Sequence, residues 1–385
     1  MNARSHLCMI GPQPPPRHGV SAVNEAILTL ARESGSQPQV FNTAPASLSR
    51  TTMNRISRLW PVTRAIMGVR TALRNDRTAI VYLSVSGGLG IMTELPIVWL
   101  GRKCGAQTIL HHHSFRYLEQ SSLLMKALVR SAGPTAVHIL LSSNMEQAMR
   151  DKFPTVKQTL VVSNAAFANY MSPPTMDSHG PCRVIGHLSN LSPEKGLFEV
   201  LELATWAEQN QLDFEFRIAG PFEDATVETQ FLARAERLKN LTVFGPLYGE
   251  EKRRFFENLD VFVFPTRYRN EAEPLVLLEA LSQGCPVISY DRGCISSIID
   301  SDSGALVPRR EPFLPFASET LRLWQNDAHA HSKRRRAARQ RFAKLQDAAA
   351  AGKQKLLDLL CGNCLTETPA AATLRPLDSS ARRLL

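Results

Sequence analysis

The sequence has no apolar run long enough to cross a bilayer. Its best, "GIMTELPIVWLG", is broken by Glu94 and falls short of the roughly 20 residues a spanning helix needs. A secretory leader is also missing, because the apolar part of "MNARSHLCMIG" is too short for one. No disulfide framework is present: the seven cysteines (Cys8, Cys104, Cys182, Cys285, Cys294, Cys361 and Cys364) are odd in number and scattered, which suits a reducing compartment. Cys361 and Cys364 have CxxC spacing, but no second pair accompanies them to complete a structural zinc site. Nor are basic segments interleaved with aromatics, as a nucleic-acid surface would require. These absences point to a cytoplasmic protein that works, at most, at the inner face of a membrane.

What is present describes a globular protein with a bias. Apolar residues make up 44% and charged ones 21%, while a net charge of +10 calls for acidic partners: nucleic acid, anionic lipid or a phosphorylated small molecule. At 385 residues the chain exceeds one ordinary core, and two domains are expected. Short apolar runs alternate with helical patterns twice over. The first set is "HLCMIG", "QPQVFN", "TAIVYLSV", "AQTILHH", "AVHILLSS" and "TLVVSN", with a helix from Ser21 to Ala31 that takes Ser21 as N-cap and has Glu25 in its first turn. The second set is "RVIGHL", a helix from about Gly196, "DFEFRIAG", "LTVFGPL", "DVFVFPT" and "CPVISYD". Such continuous apolar strands suit parallel sheets buried on both faces, so the fold class is α/β with two Rossmann-like doubly wound domains. The boundaries are 1–167 for the first domain, 168–182 for a linker containing "YMSPPTMDSHGP", and 183–330 for the second. Basic helices over 331–365, beginning "KRRRAARQRFAK", are placed to pack back toward the first domain, and 366–385 is a disordered tail.

One stretch concentrates the chemistry. In "NEAEPLVLLEALSQGCPVISY", Glu271 and Glu279 stand on either side of seven residues, just after the strand "VFVFPT". The segment Arg267 to Glu273 reads as a loop, and Pro274 suits the first helical position because its missing N–H would lack a partner there. The N–H groups of Leu275 and Val276 then point at whatever occupies the strand ends, where ligands of open α/β sheets bind. Ordinary helix-start acids account for Glu271 and Glu273. Glu279 is harder to dismiss, since both its neighbours are apolar and a carboxylate there needs a specific partner.

This segment resembles the E-x7-E element of family 4 glycosyltransferases, the retaining enzymes of GT-B fold. The likeness extends to "LSNLSPEKGLFEVLELA", "FRIAG", "LTVFGPL", "LLSSNMEQAM" and "LVVSNAAF", in the family's order. The resemblance implies an interdomain cleft, no metal cofactor, a nucleotide diphosphate sugar as donor, and a glycan or lipid-linked acceptor held by the first domain. Glu279 would accept from the ribose hydroxyls, and Glu271 would lie by the anomeric region, where a negative charge stabilises an oxocarbenium-like transition state. The backbone of Glu273, Pro274, Leu275 and Val276 would cradle sugar and diphosphate, with Lys195 neutralising the latter. The chain departs from the pattern at Asn190, where many members have arginine, leaving diphosphate neutralisation to Lys195 with helix dipoles or to a nearby basic side chain such as Arg267 or Arg269. It departs again at Glu273 and Pro274, which replace a Phe-Gly pair and mark the place to look for donor preference.

In the first domain, "GPQPPPRHGVSAVNEAI" reads as a rigid loop opening a helix, and the resemblance places Gly19 against the donor and His18 against the acceptor. Three histidines end the strand "ILHHHSF". Of these, His113 is preferred for the histidine beside the donor sugar, with His111 toward the acceptor as the other choice. "RISRLWPVTRAIMGVRTALRNDR" sets Val62, Ala65, Ile66, Val69 and Leu73 on one helical face and Arg64, Arg70 and Arg74 on others. That is a helix packed on the core whose basic face can meet anionic lipid. Two other functions fit parts of the pattern: an epimerase of GT-B fold acting on the nucleotide sugar alone, and a non-catalytic basic scaffold.

Overall fold

A computed structural model describes residues 6–44, 59–76, 79–168 and 180–363. Cys364, the tail from 366, residues 169–179 of the expected linker and the side chain of Val62 lie outside the described residues. The first sheet is built from β1 (Leu7–Gly11), β2 (Gln39–Asn42), β3 (Ile80–Val85), β4 (Gln107–His112), β5 (Val137–Leu140) and β6 (Gln158–Val161). All pair in parallel in the order β2-β1-β3-β4-β5-β6. Between them run α1 (Gly19–Glu33), α2 (Leu59–Asn75), α3 (Ile91–Lys103), α4 (Arg116–Glu119), α5 (Leu123–Ala132) and α6 (Ser143–Lys152).

The second sheet repeats the plan. Its strands are β7 (Val184–Leu188), β8 (Glu215–Ala219), β9 (Leu241–Val243), β10 (Val261–Phe264), β11 (Val287–Tyr290) and β12 (Gly304–Val307), parallel in the order β12-β11-β10-β7-β8-β9. The helices are α7 (Leu197–Gln209), α8 (Ala225–Ala235), α9 (Gly249–Glu257), α10 (Leu275–Ser282), α11 (Ile295–Ile298), α12 (Phe313–Asn326) and α13 (Ala328–Leu360). Strands β1, β3, β10 and β11 are buried along their whole length, which is why they read as unbroken apolar runs. β12 escaped the sequence reading because half of its four residues, "GALV", are Gly and Ala, which are depleted in strands.

Two helix starts differ from expectation. α1 begins at Gly19, not Ser21, because the imidazole of His18 accepts the Ser21 N–H while Ser21 Oγ accepts the His18 N–H, closing a capping box. Ser21 is therefore the third residue of the helix, and Glu25 lies beyond its first turn. Pro274 is the N-cap of α10, with extended ψ of 124°, and Leu275 is its first residue.

The chain passes between the sheets twice. It leaves β6 through a 3-10 turn at Asn164–Ala166 and returns in α13, a single 33-residue helix. Ala338, Phe342 and Ala349 of that helix pack in the second domain's core, while Leu356, Leu359 and Leu360 sit with Leu7, Val23 and Ile27 of the first. On α2, Ala65, Val69 and Leu73 are buried, Ile66 is half-buried, and Arg64, Arg70 and Arg74 face outward.

Candidate active site

The segments that follow β1, β7, β8 and β10 converge on a cleft of about 1110 Å3 between the two sheets. Strand ends supply its floor. Gly220, at the end of β8, has φ of +130°, and a Cβ there would lie 1.8 Å from the Ser189 carbonyl oxygen, so only glycine lets the ends of β7 and β8 meet.

Lys195 reaches the cleft from a 3-10 turn whose N-cap, Ser192, accepts the Lys195 N–H at 3.3 Å. The next residue, Gly196, adopts φ of +84° with its missing Cβ pressed against Pro265, which lets the turn lie against the end of β10. The Lys195 Nζ donates to Glu271 Oε2 at 2.5 Å and stands 4.7 Å from the Tyr268 ring and 5.5 Å from the Phe264 ring. Thr266 Oγ1 donates to the same carboxylate oxygen at 3.0 Å. Glu271 is thus buried, paired and aimed, with little freedom to leave the cleft wall.

Glu279 also lines the cleft, one helical turn inside α10. The partner its apolar neighbours demanded is Lys252, whose Nζ lies 2.6 Å from the carboxylate. Each glutamate of the pair therefore holds a lysine. Each keeps further lone pairs for a ligand's hydroxyls. Pro274, Leu275 and Val276 complete this wall, and as the first residues of α10 the two latter have N–H groups without helical acceptors.

Several expected residues fall elsewhere. Asn190 lines the cleft and is exposed, but Arg267 and Arg269 do not line it. Arg267 instead donates to the Tyr290 hydroxyl at 2.5 Å and stands 3.5 Å from Glu199. The cations that do line the cleft are Lys195, Lys252 and Arg253 on one wall, with Arg17 and Lys353 on the other. Glu273 corrects the expectation most. Its side chain turns out of the cleft to Ser163 and Asn164, and burial pushes its carboxyl up to about 7. A two-residue step from Glu271 through a tight loop has reversed its direction.

On the opposite wall, His18 and Gly19 line the cleft, and a Cβ at Gly19 would meet open space. The strand-end histidines stand back from it. His111 and His112 alternate to opposite faces of β4 and both are fully buried. His111 Nδ1 lies 2.7 Å from the Tyr82 hydroxyl; the two nitrogens of His112 pair with Tyr117 at 2.8 Å and His138 at 2.9 Å. His111 is therefore a core residue and makes no acceptor surface. His113 is half-buried, its ring centroid 4.0 Å from that of His111, and burial with the nearby His18 lowers its pKa to about 3. It stays neutral across the physiological range and does not line the cleft.

Lys252 and Thr266 went unnoticed in the sequence. Lys252 belongs to "GEEKRRFFE", whose charges read as a solvated face, and nothing local marks one cation among them. Thr266 closes "VFVFPT", and its place at a strand's C-terminal end was the available signal.

Two parallel six-stranded sheets facing each other across a cleft, with the paired glutamates at the mouth of one, define the GT-B class of glycosyltransferase fold. Residues 178–341 match the family described as "Glycosyl transferases group 1". Among curated proteins the chain is similar to the amylovoran biosynthesis glycosyltransferase AmsK of Erwinia amylovora, 29% identical over 157 residues, which cover 39% of this chain and 38% of the relative. It is also 31% identical over 140 residues to the O-antigen chain mannosyltransferase C of Escherichia coli, 34% of each chain. Both matches span little more than a third of the relative's own length. Among solved structures, Anabaena Alr3699/HepE in complex with UDP and glucose superposes over 92% of this chain and 98% of its own, with a TM-score of 0.66 and 14% identity. That likeness speaks for the fold alone.

Proposed function

We propose that the protein transfers a sugar, with retention of anomeric configuration, from a nucleotide diphosphate sugar to an acceptor hydroxyl in the cleft. The observation that carries this reading is the placing of Glu271 and Glu279 on one cleft wall, each bonded to a lysine, around the first turn of α10. In this reading Glu279 accepts from the ribose and Lys195 faces the departing diphosphate. The N–H groups of Leu275 and Val276 add the positive end of a helix to that charge. Glu271 stands where a positive charge develops on the sugar, and its pairing with Lys195 and Thr266 fixes it there before substrate arrives. Acceptor binding falls to the wall containing His18 and Arg17. Relatives named for amylovoran and O-antigen synthesis support a polysaccharide or lipid-linked glycan as the acceptor class.

A thermal-shift screen against nucleotide diphosphate sugars tests the donor. One of them should stabilise the protein by about 2.7 kcal/mol at 100 times its Kd, and NMR of the product should show a retained anomeric centre. Stabilisation by none, or turnover of the sugar nucleotide without any acceptor, would count against transfer.

A membrane-borne acceptor is favoured by the outer face of the first domain. Helices α2, α3 and α5 present Arg64, Arg70, Arg74, Arg102, Lys103, Lys126 and Arg130 to solvent, and their only acid, Glu94, is buried. Among them stand Met67, Leu89, Met92, Trp99 and Leu123, five of the eight large apolar side chains exposed among the described residues. Cations beside exposed Trp, Leu and Met suit the interface of an anionic bilayer. No helix among the described residues is long and apolar enough to cross a membrane. The protein should sediment with vesicles containing phosphatidylglycerol, less so as salt rises, and not with pure phosphatidylcholine; equal binding to both would remove the electrostatic part.

A further inference from the structure

Glu273 is the least explained group near the cleft: a carboxylate only 6% exposed, two residues from Glu271, and pointing away from it. Its Oε1 accepts from Ser163 Oγ at 2.7 Å and its Oε2 accepts from the Asn164 backbone N–H. Asn164 answers with its own amide, donating from Nδ2 to the Glu273 carbonyl oxygen at 2.8 Å. Three hydrogen bonds thus join segments more than a hundred positions apart. Burying a carboxylate without a cation is costly, and the two donors it meets are what offset that cost.

The position of those donors gives the contact its meaning. Ser163 and Asn164 begin the 3-10 turn by which the chain leaves β6 for the second domain, and this turn packs against α10 and α13, the returning crossover. Its Ala165 lies in one apolar cluster with Leu277, Leu278 and Ala280 of α10. On the other side of Glu271, Asn270 Oδ1 accepts from Ser114 Oγ at 3.3 Å. Ala272 sits in the first domain's core together with Cys294, whose sulfur meets Ser142 Oγ at 3.3 Å. The loop that carries Glu271 is therefore gripped by the first domain before and after that residue.

We infer that Glu273 is a positioning residue that fastens the Glu271 loop and the first turn of α10 to the crossover between domains, so that the relative setting of the domains fixes the geometry of the site. A phenylalanine, the residue in the pattern this stretch resembles, would fill the space and keep the bond to the backbone carbonyl but supply neither of the two side-chain bonds. The catalytic meaning rests on the function proposed above; the fastening itself does not.

The test uses the full chain and two readouts. Hydrogen–deuterium exchange, which needs no substrate, should show the amides of residues 270–277 exchanging about tenfold faster in Glu273→Ala than in wild type. Turnover at saturating donor should fall by about tenfold or more with KM little changed, since a small misplacement of a reacting group weakens the chemical step. Glu273→Gln should restore both, because its Oε1 can accept the Asn164 N–H while its Nε2 donates to Ser163 Oγ. If Glu273→Ala does not fold, Ser163→Ala, which deletes one bond, should show the same changes in smaller measure. Unchanged exchange over 270–277 in a folded variant, or faster exchange with unchanged turnover, would overturn the inference. Faster exchange in a protein whose wild type transfers no sugar would instead overturn the proposed function and leave the fastening standing.

Discussion

Replacing Glu271 by glutamine is expected to lower kcat by about 100-fold or more while leaving donor affinity within a few-fold of wild type. Glutamine keeps the shape and can still accept from Lys195 and Thr266, which contact Glu271 at 2.5 Å and 3.0 Å, so the loop should hold its place. What it removes is the negative charge. In a mostly buried site that charge acts through a lower effective dielectric than water, and it matters only when positive charge develops on the sugar. A loss of 100-fold corresponds to about 2.7 kcal/mol of transition-state stabilisation. Steady-state kinetics, together with donor affinity by calorimetry, separates the two quantities. Equal losses in affinity and turnover would make Glu271 a binding group, and wild-type turnover would remove it from the chemistry.

Glu279→Ala should do the opposite. Hydrogen bonds to a charged acceptor contribute roughly 1.5–3 kcal/mol each, so deleting the ribose contact is expected to weaken binding of the donor's nucleoside diphosphate by about 10-fold to 100-fold. Turnover at saturating donor should change little, because the ribose is held equally in ground and transition states. Lys252 is partly solvent-exposed and can hydrate when its partner is gone, so loss of fold is not expected to confuse the result. Calorimetry on the variant reads the affinity directly. Wild-type affinity would send the ribose elsewhere in the cleft and undo the division of labour between the two glutamates.

Much of this site was legible because strand, loop and helix follow one another within a short stretch. "VFVFPT" had to end at a sheet edge, Pro274 had to stand at a helix start, and Glu271 and Glu279 were bound to share a wall. Glu273 shows where such reading stops. Its immediate sequence offers the same acid at the same helix start as Glu271, and only the turn at Ser163 and Asn164, brought in from the other domain, decides that it faces away from the cleft. Lys252 makes the same point in reverse, since one lysine in a charged helix becomes special only when the fold sets it 2.6 Å from Glu279. His111 and His112 gave no sign in the sequence of being core residues. Tyr82, Tyr117 and His138, from other elements, supply the partners that make their burial possible.

By itself the sequence determined the two parallel sheets, their order along the chain, and the glutamate pair beside a helix start, because apolar runs and short-range spacing are local properties of the chain. Only the tertiary structure decided which cations line the cleft, which histidines leave it, and that the Glu271 loop is held by the opposite domain. Those are contacts between residues far apart in sequence, and their free energy depends on distance and burial that no local pattern encodes.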